Sequence, residues 1–161
     1  DWVTDLAEIP AKYGVNNVYG ELGSSFANCV ISHPKHAAAM LGTLVKGLGA
    51  DRVVWGTDSV WYGSPQWQIE AMRRIEIPED MQKKFGFAPL GGDNSEVKQK
   101  IFGLNSARIH GIDLNDLGKH NINFKDDKLQ KSKDAYLKEG ADRTNAFYGF
   151  IDKKNVSFKR T

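Results

Sequence analysis

Residues 53–59 (VVWGTDS) form the part of the sequence whose residue types and order most clearly suggest chemistry. They predict a buried apolar strand that ends in an irregular loop, with the carboxylate of Asp58 at the junction. In α/β sheets and barrels, ligands and catalytic groups lie at this end of the strands. Asp58 in that place can bind a divalent cation and accept a proton from a water molecule. The alternative is that Asp58 only caps the loop backbone, as Asp does in many turns.

Three other side chains near the same predicted sheet edge are candidates for contact with a small-molecule substrate. Glu21 closes a strand predicted over residues 15–22, so its carboxylate lies at the edge where Asp58 lies. Trp61 and Tyr62 follow Asp58 in the loop, and aromatic rings of this kind supply contact area with a polar tip. These two rings either line a pocket or pack the loop against the protein, and the sequence leaves both possibilities open.

The elements that must position these residues alternate between helix and strand. Continuous apolar strands separated by an amphipathic helix are typical of a parallel sheet covered by helices. We therefore predict a β-α-β unit of the α/β class. The first predicted helix covers residues 2–13 and ends at Gly14, and its apolar stripe consists of Trp2, Leu6, Ile9 and Tyr13. The elements predicted after it are a strand over 15–22, a loop at 23–25, a helix from Ser32-His33-Pro34 to Gly49, a strand over 52–56, and helices that start at Ser64-Pro65, Pro78 and Ser95.

The last third of the chain is less apolar and more basic. Residues 119–161 hold eleven Lys and Arg against six Asp and Glu, and one helix is predicted near residues 128–139. A basic tail of this kind can bind nucleic acid or an acidic partner, but a solvated arm lying on its own protein is the favoured interpretation. The predicted division is a first segment at 1–112 and a C-terminal extension at 113–161.

The overall composition narrows the class of protein. Hydrophobic residues make up 40% and charged residues 26% of the chain, which is typical of a globular protein. The sequence contains no run of about 18 apolar residues, so no membrane span is predicted. A net charge of +2 is too small to predict nucleic-acid binding. The single cysteine, Cys29, excludes an internal disulfide and favours a reducing compartment, so we expect a cytoplasmic location.

Four stretches of the sequence resemble the C-terminal region of the amidohydrolase-related, metal-dependent hydrolases of TIM-barrel fold. They are residues 17–27 (NVYGELGSSFA), 49–91 (GADRVVWGTDS to FAPLG), 98–113 (KQKIFGLNSARIHGID) and 143–150 (RTNAFYGF). The resemblance implies the C-terminal portion of a (β/α)₈ barrel, about strands seven and eight with their helices, followed by a helical basic tail.

The same resemblance implies a role for one residue and a class of reaction. In this family the last strand ends in an Asp that binds the metal and acts on the attacking water, and the matching residue is Asp58. The implied reaction is hydrolysis or, within the same family, non-oxidative decarboxylation of a small molecule. Zinc is the expected metal, because histidine and carboxylate ligands suit it, and manganese is the alternative.

The sequence departs from the family pattern in its histidines. The family's metal site includes a His-x-His pair, and this chain has no such pair among its four histidines, His33, His36, His110 and His120. His33 and His36 are spaced so that they could meet on one helix face and bind a metal. The favoured interpretation is that they are ordinary surface residues. The sequence therefore predicts one metal ligand of an incomplete site.

The size of the chain bears on its partners. A complete barrel of this type needs about 250 residues, and this chain has 161. We expect it to dock onto the remainder of a barrel, in the same or a separate chain, or to associate with itself. We expect no nucleic acid and no membrane as partners. The alternative function is a non-catalytic fragment that serves as an oligomerising interaction module.

Overall fold

The computed structural model describes residues 1–116, 127–139, 147–148 and 151–152. The chain divides into two compact units, Asp1–Asp113 and Leu114–Thr161. The described part of the first unit is mostly helical and contains two short parallel strands. Its elements are α1 Trp2–Tyr13, β1 Gly20–Glu21, α2 Gly23–Val30, α3 Pro34–Leu48, β2 Val53–Val54, α4 Ser59–Tyr62, α5 Gln66–Arg74, α6 Glu79–Phe85, α7 Glu96–Gln99 and α8 Asn105–Ile109, with a π-helical turn Lys100–Leu104 between α7 and α8.

The described part of the second unit contains one longer helix and a short hairpin. Helix α9, Asp127–Glu139, confirms the helix predicted near 128–139. Strands β3, Phe147–Tyr148, and β4, Ile151–Asp152, pair antiparallel, with Phe147 opposite Asp152. Most of the stretch 143–150 that carries the family resemblance lies outside the described residues.

Strands β1 and β2 form the parallel pair that the sequence predicts at the centre of the first unit. Gly20 lies opposite Val53 and Glu21 opposite Val54. The Leu22 amide donates to the Val54 carbonyl at 3.2 Å. Helices α2 and α3 connect the two strands along the chain, which gives a β-α-β arrangement of the α/β kind. The strand predicted over 15–22 is shorter than expected, because β1 has a single partner strand among the described residues.

The segment directly after β1 differs from its predicted structure. Residues 23–25 were expected to form a loop, and they form the first turn of α2 instead. The helix is stabilised by its apolar face, because Phe26, Cys29 and Val30 are buried at helical spacing. The Cys29 thiol donates to the Ser25 carbonyl at 3.0 Å, and burial raises its pKa. Cys29 is therefore a buried packing residue.

Helix α1 packs only part of its predicted stripe against the core, with Leu6 among the residues that do so. Trp2 and Tyr13 were placed on its apolar stripe, but they are 57% and 65% exposed. Val3 and Ala7 are buried instead. The reason is a close helix crossing, since a Cβ at Gly47 of α3 would overlap the Ala7 carbonyl. Large rings cannot fit where the two backbones approach so closely.

The core of the first unit lies between the parallel strands and helices α2, α3 and α5. Trp55 packs between Phe26 and Phe102, with ring centroids 5.7 and 4.9 Å away. Trp55 is thus partly buried against the core cluster. The buried apolar side chains that form the cluster include Leu22, Phe26, Leu41, Leu44, Leu48, Val53, Met72, Ile77, Leu90 and Ile101.

The last helical segment of the first unit, from α7 to α8, packs beside β2. Ser95 caps its start by accepting a hydrogen bond from the Lys98 amide, as the sequence predicts. Further along, the buried Asn105 side chain donates to the carbonyls of Ala50 and Val53, both at 2.8 Å. Successive carbonyls point to opposite sides of a strand, so the Val53 carbonyl faces away from β1. Asn105 thus satisfies the Val53 carbonyl, which has no strand partner among the described residues.

Candidate functional site

Parallel pairing brings the C-terminal ends of β1 and β2 to one edge, where their polar side chains meet. Glu21 is the last residue of β1, and Asp58 follows β2 by four residues. The Ser24 hydroxyl, in the first turn of α2, donates to Oδ2 of Asp58 at 2.5 Å. A hydroxyl bound to a carboxylate at such a distance is a charge-assisted hydrogen bond. The structure therefore connects the segment after β1 to the segment after β2 through this contact.

Asp58 has an unusual backbone and does not cap the helix that follows it. Its φ of 48° is the one positive value at a non-glycine position within the described residues. Asp tolerates this left-handed conformation better than most residues. Asp58 holds the N-cap position of α4, yet its side chain makes no capping hydrogen bond. The capping alternative raised by the sequence is therefore not what the carboxylate does, because it binds Ser24.

Two glycines leave room for the Glu21 side chain beside Asp58. A Cβ at Gly56 would overlap Oε1 of Glu21. A Cβ at Gly23 would lie 2.9 Å from Oε2 of Glu21 and 3.0 Å from Oδ2 of Asp58. Oε2 of Glu21 and Oδ2 of Asp58 therefore both lie beside Gly23.

No basic side chain of the described residues lies within ion-pair distance of either carboxylate. Glu21 is exposed and Asp58 is half-buried. Two negative charges that lie close together repel each other. The arrangement is therefore suited to a bound cation or to a ligand with hydrogen-bond donors.

The backbone before Asp58 is held by a buried glutamine. Gln68 of α5 has no exposed surface, and its side-chain nitrogen donates to the Thr57 carbonyl at 2.9 Å. The side-chain oxygen of Gln68 is buried and has no partner in the part of the chain that the structure describes. The Thr57 hydroxyl oxygen accepts from the Ser59 amide at 3.3 Å. These contacts fix the peptide on each side of Asp58.

The two aromatic candidates lie on α4. Trp61 is 78% exposed and the neighbouring Val60 is 85% exposed. Such exposure rules out the possibility that the Trp61 ring packs the loop down. The backbone of Tyr62 ends α4, and its side chain lies outside what the structure describes.

The histidines do not complete a metal site within the described residues. His33 precedes α3 with a non-helical φ of −139°, and its Nδ1 lies 2.9 Å from the Ser32 hydroxyl. His36 and His110 are exposed, and His120 lies outside the described residues. Across the described ranges, no three His, Cys, Asp or Glu side chains converge in a group that could hold a metal ion. Asp58 and Glu21 therefore offer only part of a coordination sphere.

Ser24 and Gln68 are the site residues that sequence reasoning missed. Ser24 was assigned to a loop, although a small hydroxyl residue directly after a strand end is placed to reach Asp58. Gln68 falls on the buried face of α5, four residues before the buried Met72. A polar residue on such a face is a signal of a specific hydrogen bond, because burial without a partner is costly.

The chain was compared with models of known protein families, with curated proteins and with solved structures. None of them matched. The resemblance to the amidohydrolase-related hydrolases therefore stays a prediction from the sequence. Among the helices that the structure describes, none has the length and apolar character needed to cross a membrane.

Proposed function

We propose that this chain supplies the last two strands and one metal-binding carboxylate of a metal-dependent hydrolase of the amidohydrolase-related type. In this proposal β1 and β2 are strands seven and eight of a TIM barrel, and Asp58 is the carboxylate. The observation that supports it is the orientation of Asp58. Its carboxylate accepts a hydrogen bond from Ser24 and lies, like the Glu21 carboxylate, beside Gly23, instead of capping its own loop.

The two carboxylates fit part of the site that a divalent cation needs. Asp58 offers an oxygen ligand and Glu21 adds a second negative charge beside it, and no described basic side chain lies within ion-pair distance of either. A zinc site usually has three or four protein ligands, so further ligands come from another part of the proposed barrel. If those ligands are histidines, zinc is favoured, and oxygen ligands alone favour manganese or magnesium.

The proposed chemistry assigns different tasks to the two carboxylates. A bound divalent cation supplies the positive charge that makes a water molecule acidic near neutral pH. With such a cation bound, Asp58 would hold it and accept the proton of that water, while the Ser24 hydroxyl would keep Oδ2 oriented. Glu21 accepts hydrogen bonds from a donor group of the small-molecule substrate. Trp61 and Tyr62 belong to the substrate side of the site, and non-oxidative decarboxylation at the same site is the alternative reaction.

A manganese titration of the 161-residue chain tests this proposal without knowledge of the substrate. Mn²⁺ broadens the NMR signals of nearby nuclei, so even weak binding can be located. We expect broadening of backbone amides centred on residues 21–24 and 56–59. The Asp58→Asn variant keeps the side-chain shape but loses the charge, so the broadening there should disappear. Asp80→Asn, at an exposed carboxylate on α6, is the matched control and should change nothing.

Broadening at other carboxylates, or an unchanged pattern in Asp58→Asn, would contradict the proposal. That result would favour the alternative, a non-catalytic chain that oligomerises. The observation that favours this alternative is the exposure of Val60 and Trp61, since adjacent large apolar side chains in solvent mark interaction surfaces.

A further inference from the structure

Helix α1 carries an apolar stripe in addition to the face that packs on α3. The stripe consists of Trp2, Leu6, Ile9 and Tyr13, whose spacing of four, three and four positions places them on one side of the helix. Trp2 and Tyr13 are 57% and 65% exposed, and Leu6 and Ile9 are half-buried. The four side chains line a surface groove of about 490 Å³. A continuous exposed row of this kind marks an interaction surface.

The charges beside the α1 stripe suit a second copy of the same helix. Asp5 lies in the first turn of α1 and Lys12 in its last turn. They are seven positions apart, close to two turns, so both lie on the same flank of the stripe. Neither makes an ion pair within the part of the chain that the structure describes. This flank therefore carries one unpaired charge of each sign.

An antiparallel pair of α1 helices brings these opposite charges together. The midpoint of the stripe falls between residues 7 and 8. When two copies pack antiparallel about that midpoint, Lys12 of each copy comes within about 3 Å, measured along the helix axis, of Asp5 of the other. The helix macrodipoles also oppose each other in this arrangement, which is favourable. Glu8 lies further round the helix from the stripe than Asp5 and Lys12 do.

A parallel pair lacks this complementarity. The charged flank of each helix would then lie beside the opposite flank of the other, which carries the buried Val3. Asp5 and Lys12 would stay unpaired in that arrangement. The charge pattern therefore favours the antiparallel pair.

We propose that the α1 stripe is a homodimer interface, in which two copies of this chain pack α1 against α1 in opposite directions. Trp2 of each copy lies beside Tyr13 of the other, and two symmetric ion pairs join Lys12 to Asp5. The Lys12 ammonium lies 5.3 Å from the centroid of its own Tyr13 ring, and so stands at the end of the stripe that the second copy covers. Each helix has only 12 residues, so the interface is small and the dimer is weak and reversible.

Charge reversals test the pairing in a background that carries Val60→Gln and Trp61→Gln, which removes the other exposed apolar surface. Sedimentation velocity over a dilution series should show a monomer–dimer equilibrium in this background. Lys12→Glu and Asp5→Lys each place like charges together at two contacts, so each should weaken the dimer by about tenfold. Lys83→Glu, at an exposed lysine in the last turn of α6, is the matched control and should leave the equilibrium unchanged.

A mixture of the two reversed chains distinguishes this pairing from a general effect of charge. In a mixed dimer, Lys12 of the Asp5→Lys chain meets Asp5 of the Lys12→Glu chain, and the two substituted side chains also have opposite charges. The mixture should therefore restore the association that each variant loses. A mixture that stays as monomeric as its components would overturn the proposal, and so would a background chain that sediments as a monomer throughout.

Amide NMR signals of the background chain give a second readout that needs no charge reversal. On dilution, the signals of residues 2–13 should shift, and those of residues 79–85 in α6 should not. Trp2→Gln removes an exposed ring from the stripe, so these shifts should disappear, and a thermal melt establishes that the variant is folded. Dilution shifts confined to elements other than α1, or unchanged by Trp2→Gln, would contradict the α1 interface.

Discussion

At the scale of single residues, Gly56 leaves the space in which the Glu21 carboxylate lies. The Glu21 side chain occupies the space that any larger residue at position 56 would fill. Gly56 does not have a left-handed backbone, since it is not among the positive-φ glycines. An alanine there is therefore compatible with the backbone but not with the present position of Glu21.

Gly56→Ala should move the Glu21 carboxylate while leaving the fold intact. Glu21 is exposed, so its side chain can turn into solvent, and the free energy of unfolding should change by less than about 1 kcal/mol. Mn²⁺ broadening at Glu21 should fall several-fold, while broadening at Asp58 persists. Gly92→Ala is the control, because no atom lies within 4 Å of its added methyl group. Undiminished broadening at Glu21 in Gly56→Ala would show that the glycine does not position the carboxylate.

The sequence alone identifies the carboxylates but not the groups that hold them. Glu21 and Asp58 can be found because each follows a predicted strand, and the ends of parallel strands share an edge. Ser24 and Gln68 cannot be assigned in this way. Their partners lie 34 and 11 positions away, and those contacts depend on how α2 and α5 pack.

At the scale of elements, Asn105 joins the last helical segment to β2. Its side chain is 2% exposed and donates to two backbone carbonyls, those of Ala50 and Val53. A buried carbonyl that loses its partner costs about 1–3 kcal/mol. The contact therefore contributes to stability and joins the helical segment to the start of β2.

Asn105 variants should differ in stability in a defined order. Asn105→Ala leaves two carbonyls unpaired, so we expect a loss of at least about 2 kcal/mol. Asn105→Asp should be worse, because its carboxylate would face two carbonyl oxygens. Ser106→Ala, on the same helix, should change stability by no more than about 0.5 kcal/mol. Urea unfolding measures all three, and an Asp variant as stable as the parent would exclude these two hydrogen bonds.

The loop after α6 is tied to α5 by a two-point ion pair. Arg73 Nε and Nη2 donate to the two oxygens of Asp93 at 2.8 and 2.6 Å. The hydrogen bonds from Arg73, with its charge as a second cause, hold the pKa of the Asp93 carboxyl below its ordinary value. A carboxyl with a lowered folded-state pKa stabilises the protein above its unfolded pKa, and this contribution is lost as the pH falls through the folded value.

Asp93→Asn should therefore lower the stability near neutral pH, and the loss of stability should be smaller in acid. The difference in melting temperature from the parent should shrink as the pH falls below about 4. Glu8→Gln is the control, since Glu8 is exposed and makes no ion pair among the described residues. A difference that stayed constant with pH would mean that the ion pair does not contribute.

Helix ends in this chain could be predicted, but strand lengths and helix faces could not. Gly14, Gly49 and Ser95 give local signals that need no tertiary partner, and the structure has each at a helix end. Residues 15–19 have strand-forming character, but strand structure requires a neighbouring strand, and only Gly20–Glu21 has one. Which face of α1 is buried depends on its close crossing with α3.

At the scale of the whole molecule, the first unit exposes a strand edge and apolar side chains that monomeric proteins usually bury. The Glu21 backbone faces away from β2 and makes no backbone hydrogen bond to the described residues. Val60 and Trp61 are both more than three-quarters exposed. An open strand edge and exposed apolar side chains both promote association.

The isolated chain should therefore associate with itself at micromolar concentrations. Sedimentation velocity over a dilution series should show species larger than the monomer. A double substitution, Val60→Gln with Trp61→Gln, should shift the distribution towards monomer, because it removes apolar surface and leaves the backbone unchanged. A parent chain that sediments as a monomer and unfolds cooperatively would contradict the expectation that it needs a partner.

The most direct test of a metal site at Asp58 compares all the carboxylates of the chain at once. The chain has 20 Asp and Glu residues, and each side-chain carboxyl carbon gives its own ¹³C signal. As Mn²⁺ is added, the signals of Asp58 and Glu21 should broaden first, because an oxygen of each lies beside Gly23. Earlier broadening at exposed helical carboxylates such as Glu79 and Asp80, with Asp58 and Glu21 unaffected, would contradict the account.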